Sequence, residues 1–159
     1  MRTLLSVLLA LLSVAGTFAQ PATPAAVVTR RFEALNRHDL AALETLYADS
    51  ARIESVEFEG TKTGPAGIRW VYSQHFAGTP GLTYAVDRLL PCGDDVVVQY
   101  RFGGTLTQPG PGVPAYMKGK TYSLAACAVF TVQNGRITRE RTYFDQVAFL
   151  RQMGFFEQK

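Results

Sequence analysis

The 159-residue sequence predicts an α+β fold, a curved antiparallel β-sheet wrapped around N-terminal helices with a short C-terminal helix. Three observations predict it. Apolar residues recur at helical spacing between Val28 and Phe76, the period changes to two from Leu82 onward, and Asn134-Gly135 marks a tight hairpin between two alternating runs. Apolar residues make up 47% and charged residues 18%, enough for a core and too ordered for a disordered or fibrous chain. The net charge of +3 is scattered, not gathered on one face, which argues against a nucleic-acid partner.

Met1-Arg2-Thr3 is a short basic start, Leu4 to Ala15 is apolar apart from Ser6 and Ser13, and Thr17-Phe18-Ala19 carries small residues where a signal peptidase reads. Residues 1–19 are therefore expected to be a secretory signal peptide, too short to span a bilayer, which needs about 20 apolar residues. Cleavage after Ala19 leaves an exported protein, periplasmic or extracellular, with no membrane span. Residues 20–26 read as a short tether and 27–159 as the domain.

Thr23-Pro24 is a cap followed by a proline of the first turn, and Val28, Phe32 and Leu35 carry the first helix onward. Asp39 caps a second, carrying Leu40, Leu43, Leu46 and Tyr47. Arg52 to Phe58 alternates as a short strand. Thr63-Gly64-Pro65 opens a third helix with Ile68, Val71, Tyr72, His75 and Phe76 on one face. Strands are then expected at Leu82–Leu90, Asp95–Thr107, Thr121–Gln133 and Arg136–Phe144. A turn at Pro91–Asp94 and a proline-rich loop at 108–118 separate the first three, and a last helix spans about Asp145 to Met153. Val96, Val98, Tyr100 and Phe102 share one side. Hairpin pairing across the loop puts Cys127 opposite about residue 97. At about 3.3 Å per residue that is out of disulfide reach of Cys92, so two separate, buried thiols are expected.

Several chemistries fall away. Gly119-Lys120-Thr121 lacks the glycine of a phosphate loop and enters a strand, and no Gly-x-Ser-x-Gly elbow occurs. His38 and His75 are far apart with no Glu-x-x-His partner, so no metal site is expected. Arg136 to Arg141 reads as a solvated strand face. Glu54 reads as a surface strand residue.

Arg31-Phe32-Glu33-Ala34-Leu35-Asn36-Arg37-His38-Asp39-Leu40, continuing through Leu46-Tyr47-Ala48-Asp49-Ser50-Ala51, resembles the opening helix pair of the SnoaL-like proteins. These belong to the nuclear transport factor 2-like superfamily of cone-shaped α+β folds. Gly64-Pro65-Ala66-Gly67-Ile68-Arg69 is similar to the family's third-helix start. Tyr143-Phe144-Asp145 with Leu150-Arg151-Gln152-Met153-Gly154 is similar to its closing strand and helix. The resemblance covers nearly all of the chain after the leader and implies a homodimer that needs no cofactor. Activities in the superfamily range from cyclases, isomerases, epoxide hydrolases and dehydratases to binding modules without catalysis. The family's polyketide cyclases place an acid/base aspartate just before the last helix, which Asp145 matches. Their polar partners on the preceding strand fall at Ala126 and Ala128 and are missing. The isomerase base falls at Ser55, with Glu54 one place off.

Asp145 stays open between two roles. Among Tyr143, Phe144 and Phe149 an apolar pocket would raise its pKa for proton transfer, but Asp is also a strong N-cap where a helix begins. Arg139, Arg141, Tyr143 and Asp145 share a strand face, so Arg141 is expected either to reach a ligand oxygen or to pair with Asp145. Tyr47, Trp70, His75, Phe76, Tyr100, Tyr122 and Tyr143 are spread over elements that the fold brings round one cavity, suited to a small apolar or aromatic ligand. Core packing is the alternative for each ring taken singly. The expected function is an exported domain binding such a ligand, with weak acid/base catalysis through Asp145. The alternatives are a metal-independent isomerase, cyclase or ester cyclase, and a purely structural or interaction module. Val97, Ala125 and Val129 on the outer sheet face would prefer burial in a dimer.

Overall fold

A computed structural model describes residues 22–157; the expected leader at 1–19 and the start of the tether lie outside them. The chain runs α1 (Pro24–Asn36), α2 (Leu40–Thr45), β1 (Tyr47–Ser55), β2 (Lys62–Thr63), α3 (Gly64–Gly78), β3 (Thr83–Cys92), β4 (Asp95–Thr105), β5 (Thr121–Gln133), β6 (Arg136–Phe144) and α4 (Gln146–Gln152), with 3-10 turns at Ala115–Met117 and Phe155–Glu157. The sheet order is β2-β1-β6-β5-β4-β3, open at both edges.

Helix α1 starts where its sequence says. The Thr23 hydroxyl accepts from the Ala26 amide at 3.2 Å, and Pro24 occupies the first turn, so the end of the expected tether is helical. Its inner face buries Val27, Val28, Phe32 and Leu35, and also Arg31. Asp39 caps α2 by accepting from Ala42 at 2.9 Å. That helix ends at Thr45, and Tyr47 opens β1 instead of closing α2, since the chain pairs there with Ile137 of β6. The first strand is therefore Tyr47–Ser55 and not Arg52–Phe58. Gly64 starts α3 at φ +60, and a Cβ there would lie 2.3 Å from the Asp49 carbonyl oxygen, so only glycine lets helix and strand meet this closely.

The meander is antiparallel from β3 to β6, but β1 runs parallel to β6, making the sheet mixed and not wholly antiparallel. Asn134 and Gly135 adopt φ +51 and +74, the left-handed pair that a two-residue hairpin demands. Val96, Val98, Tyr100, Ala126, Ala128, Phe130 and Ile137 form the concave face, covered by the three helices. At the edge strand β3 the Asn36 side chain takes a strand's place: it donates to the Tyr84 carbonyl and accepts from the Tyr84 amide, each at 2.8 Å.

Cys127 lies opposite Gln99, two residues from the expected register, and both cysteines are free thiols. Cys92 is exposed and Cys127 half-buried, which corrects the expectation of two buried thiols; Cys92 is the last residue of β3, opposite the exposed Asp95 at the hairpin end. No helix of the described residues is long and apolar enough to cross a membrane, which says nothing about membrane β-barrels.

Candidate functional site

The concave sheet and α3 leave a cavity of about 460 Å3 between them, closed below by α4 and on one side by the loop after β4. Its wall is largely aromatic: Phe58, Trp70, Phe102, Tyr122, Phe144 and Phe149 line it. Rings meet edge to face around it, Phe102 against Phe144 at 5.4 Å and Tyr122 against Phe149 at 5.3 Å. Trp70 stands on the rim, 47% exposed and edge-on to Phe58, with the Lys62 ammonium 4.1 Å from its ring centre.

Two polar features break this wall. The Tyr122 hydroxyl lies 3.4 Å from the Thr79 hydroxyl, and burial pushes its pKa up, so it stays a protonated donor. His75, in the last turn of α3, brings Nε2 to 2.9 Å from Glu57 Oε1 in the turn after β1. Both are about a quarter to a third exposed, reachable by a ligand yet shielded from bulk water. Donation of the Nε2 proton to Glu57 leaves Nδ1 as the ring nitrogen not tied to the carboxylate.

Of the residues expected at the site, Trp70, His75 and Tyr122 line this cavity. Tyr100 lies deeper, at a small inner chamber behind it. Phe76 is stacked on His38 at 4.3 Å and contributes no wall. Tyr47 is wholly buried, donating to Glu140 and accepting from Arg31 Nε at 2.9 Å. Arg141 and Tyr143 point to the outer face. Arg141 donates from Nε to Glu54 Oε2 at 2.6 Å, and this bond, with its charge, holds the Glu54 carboxyl below its usual range. Arg141 therefore pairs with Glu54 and not with Asp145 or the cavity. The reason is an extra residue in β6: Thr131 pairs with Arg139 but Val132 with Ile137, so Thr138 bulges and side-chain parity changes. After that bulge Glu140, Thr142 and Phe144 face inward, and Arg139, Arg141 and Tyr143 outward.

Asp145 is exposed, outside the cavity wall, and its Oδ1 accepts from the Ala148 amide at 3.0 Å as the N-cap of α4. The apolar environment expected for it is not there.

Glu57 and Glu140 are the acids that the sequence reading passed over. Glu140, expected on a solvated face, is 1% exposed and ion-paired with Arg31 at 2.5 Å. Arg31 carried a signal, because it sits among Val27, Val28, Phe32 and Leu35 on the apolar stripe of α1. Glu57, in a turn between two strands, carried none.

With this geometry in place, the chain can be set beside known proteins. The SnoaL-like domain family matches residues 28–140. The chain belongs to that family. Among solved structures it is similar to IdmH, a candidate polyketide cyclase of Streptomyces antibioticus, at 26% identity and TM-score 0.70, over 84% of this chain and 99% of that one. A Catenulispora acidiphila protein with a ketosteroid isomerase-like fold, crystallised with trimethylamine, is 21% identical at TM-score 0.68, over 84% and 95%. TerC, co-crystallised with polyporic acid, is 21% identical at TM-score 0.65, over 80% and 95%. No curated protein matches the chain.

Proposed function

We propose that this SnoaL-like domain binds a small, flat, largely apolar ligand in the aromatic cavity, and that His75, oriented by Glu57, moves a proton on it. The carrying observation is the His75–Glu57 pair, 2.9 Å apart, set into an otherwise aromatic wall. A volume of about 460 Å3 admits a ligand of two or three rings. Imidazole is the side chain most used to move protons in catalysis, and a carboxylate fixing one nitrogen leaves the other free as a base. The reaction class is proton transfer at a carbon beside a carbonyl, the first step of an isomerisation or a ring closure. Small ligands bound by TerC and the Catenulispora protein support a ligand in this fold. Export through residues 1–19 belongs to the same reading: the work is done outside the cytoplasm.

In this reading Asp145 serves α4 and not the proton. Trp70 is the one tryptophan of the sequence and stands on the cavity rim, so its fluorescence reports binding directly. A bicyclic ketone such as 2-tetralone should quench Trp70, and its α-protons should exchange with deuterium faster in the presence of the protein. His75→Gln should lower that exchange by about 10²-fold or more. Asp145→Asn keeps an equally good cap and should leave exchange intact. Exchange lost with Asp145→Asn and kept with His75→Gln would return the proton to Asp145. Absent quenching would remove the ligand itself.

A further inference from the structure

Behind the aromatic cavity lies a second, much smaller space of about 30 Å3, room for one water or one ligand oxygen and no ring. The two share walls at His75, Glu57, Phe102 and Phe144, so the small chamber is the deep end of the large one. Its character is different. Tyr84 of β3, Tyr100 of β4, Tyr72 of α3 and Thr142 with Glu140 of β6 line it, bringing polar groups from four elements to one place.

Most of these groups are committed. The Glu140 carboxylate accepts from Arg31, from the Tyr47 hydroxyl, and from Tyr72 and Thr142 at 3.3 Å each. Tyr84 differs. Its backbone is held by Asn36, its ring lies stacked 6.0 Å from Phe102, and its side chain is 8% exposed, yet its hydroxyl has no partner among the described residues. That hydroxyl is not sealed in: it keeps access to the chamber that Tyr84 lines, so a ligand oxygen there can take its bond. Tyr100 lies beside Thr142, its ring centre 6.3 Å from that of Tyr84, and burial pushes its hydroxyl up to about 12, which keeps it a donor at any working pH.

We propose that the inner chamber is a recognition subsite for one oxygen, a hydroxyl or carbonyl, at the leading end of the cavity's ligand, with the Tyr84 hydroxyl as its donor and Tyr100 beside it. The buried Arg31–Glu140 pair behind the chamber holds Tyr47, Tyr72 and Thr142 in place and leaves Tyr84 for the ligand. This rests on the ligand-binding reading of the large cavity. It narrows the ligand class from any flat apolar molecule to one with an oxygen at the end that enters first. It also sets the order of insertion: the oxygen passes His75 and stops beyond it, leaving the ring carbons nearest that oxygen against the imidazole.

The test compares 2-naphthol with naphthalene on the whole protein, read by Trp70 fluorescence. The hydroxyl should tighten binding about three- to tenfold, as one net hydrogen bond does. Tyr84→Phe keeps the ring against Phe102 and should erase that preference while leaving naphthalene affinity unchanged. Tyr100→Phe, a second variant with the same packing, should reduce the preference. Equal affinities for the two probes in the unmodified protein, or a preference that survives in both variants, would overturn the subsite and leave the cavity reading standing. Failure of both probes to bind would overturn the cavity reading and the subsite with it.

Discussion

At the level of single residues, the heart of the molecule is a buried charge cluster. Arg31 and Glu140 are each 1% exposed, and an isolated ion in such a place costs several kcal/mol. The cluster survives because the carboxylate also accepts three hydroxyl protons, while the guanidinium lies over the Phe32 and Phe130 rings, 4.9 and 4.8 Å from their centres. Burial outweighs the Arg31 charge and keeps the surrounding phenols neutral. Burial is the chief cause that raises Tyr47, Tyr72 and Tyr84 well above the ordinary tyrosine value, with the Glu140 charge adding to it at Tyr47 and Tyr72; Tyr100 reaches about 12. A phenol with a raised folded pKa contributes stability that is complete below its ordinary value of 10.0 and is lost as pH rises toward 12. Ultraviolet titration should therefore show these four phenols silent at pH 10–11 while the protein is folded, ionising together with unfolding above that range. Their ionisation near pH 10 with circular dichroism unchanged would contradict the burial argument.

Elements were legible where local chemistry decides them. Thr23, Asp39 and Asp145 are caps in the structure because each oxygen satisfies an amide that the helix cannot, and β5 and β6 end at the residues where their alternation stops. The illegible parts are those decided by a distant strand. Leu43 and Tyr47 stand four apart, as on a helix, yet pairing with Ile137 turns Tyr47 into a strand residue. Thr138 is skipped in the register with β5, and that one extra residue exchanged the faces of Glu140 and Arg141, taking two expected site residues out of the cavity and placing an unexpected acid at the inner chamber behind it. The site was legible in outline, as an aromatic cavity with His75 on its wall, but not in its acids, whose inward direction depends on the bulge and on a turn. Helix α4 makes the clearest test of the distinction. It has seven residues and none fully buried, yet Phe149 and Leu150 form the cavity floor. Asp145→Ala removes its cap and should cost about 1 kcal/mol of stability, seen as a lower urea midpoint. Ligand affinity should fall modestly with it, and the proton-exchange rate at saturating ligand should not. A collapse of that rate at saturation, with stability intact, would mean that the carboxylate does chemistry.

For the whole molecule, the outer sheet face remains to be covered. On β1 and β6, Arg52, Arg139 and Arg141 gather round the single carboxylate of Glu54, an excess of positive charge at one side. On β3 and β4 the other side carries Asp87, balanced by Arg101, the exposed Arg88, and Asp95, which accepts from the Thr131 hydroxyl. Val97, Cys127 and Val129, half-buried, and the exposed Ala125 lie between them. Arg139 and Asp95 flank Thr131 at one level of the sheet, so a two-fold axis along β5 would set each Arg139 against the partner's Asp95 over a shared apolar strip. Light scattering after gel filtration should give twice the chain mass, and raised salt should weaken the dimer, since exposed charges are screened beyond about 8 Å at physiological ionic strength. Arg139→Glu alone sets like charges against each other and should shift the population to monomer. Pairing it with Asp95→Arg restores opposite signs across the axis and should bring the dimer back, an outcome that general loss of stability would not produce. A protein that runs as a monomer at micromolar concentration, or a dimer indifferent to these charges, would place the contact elsewhere and leave the outer face to a different partner.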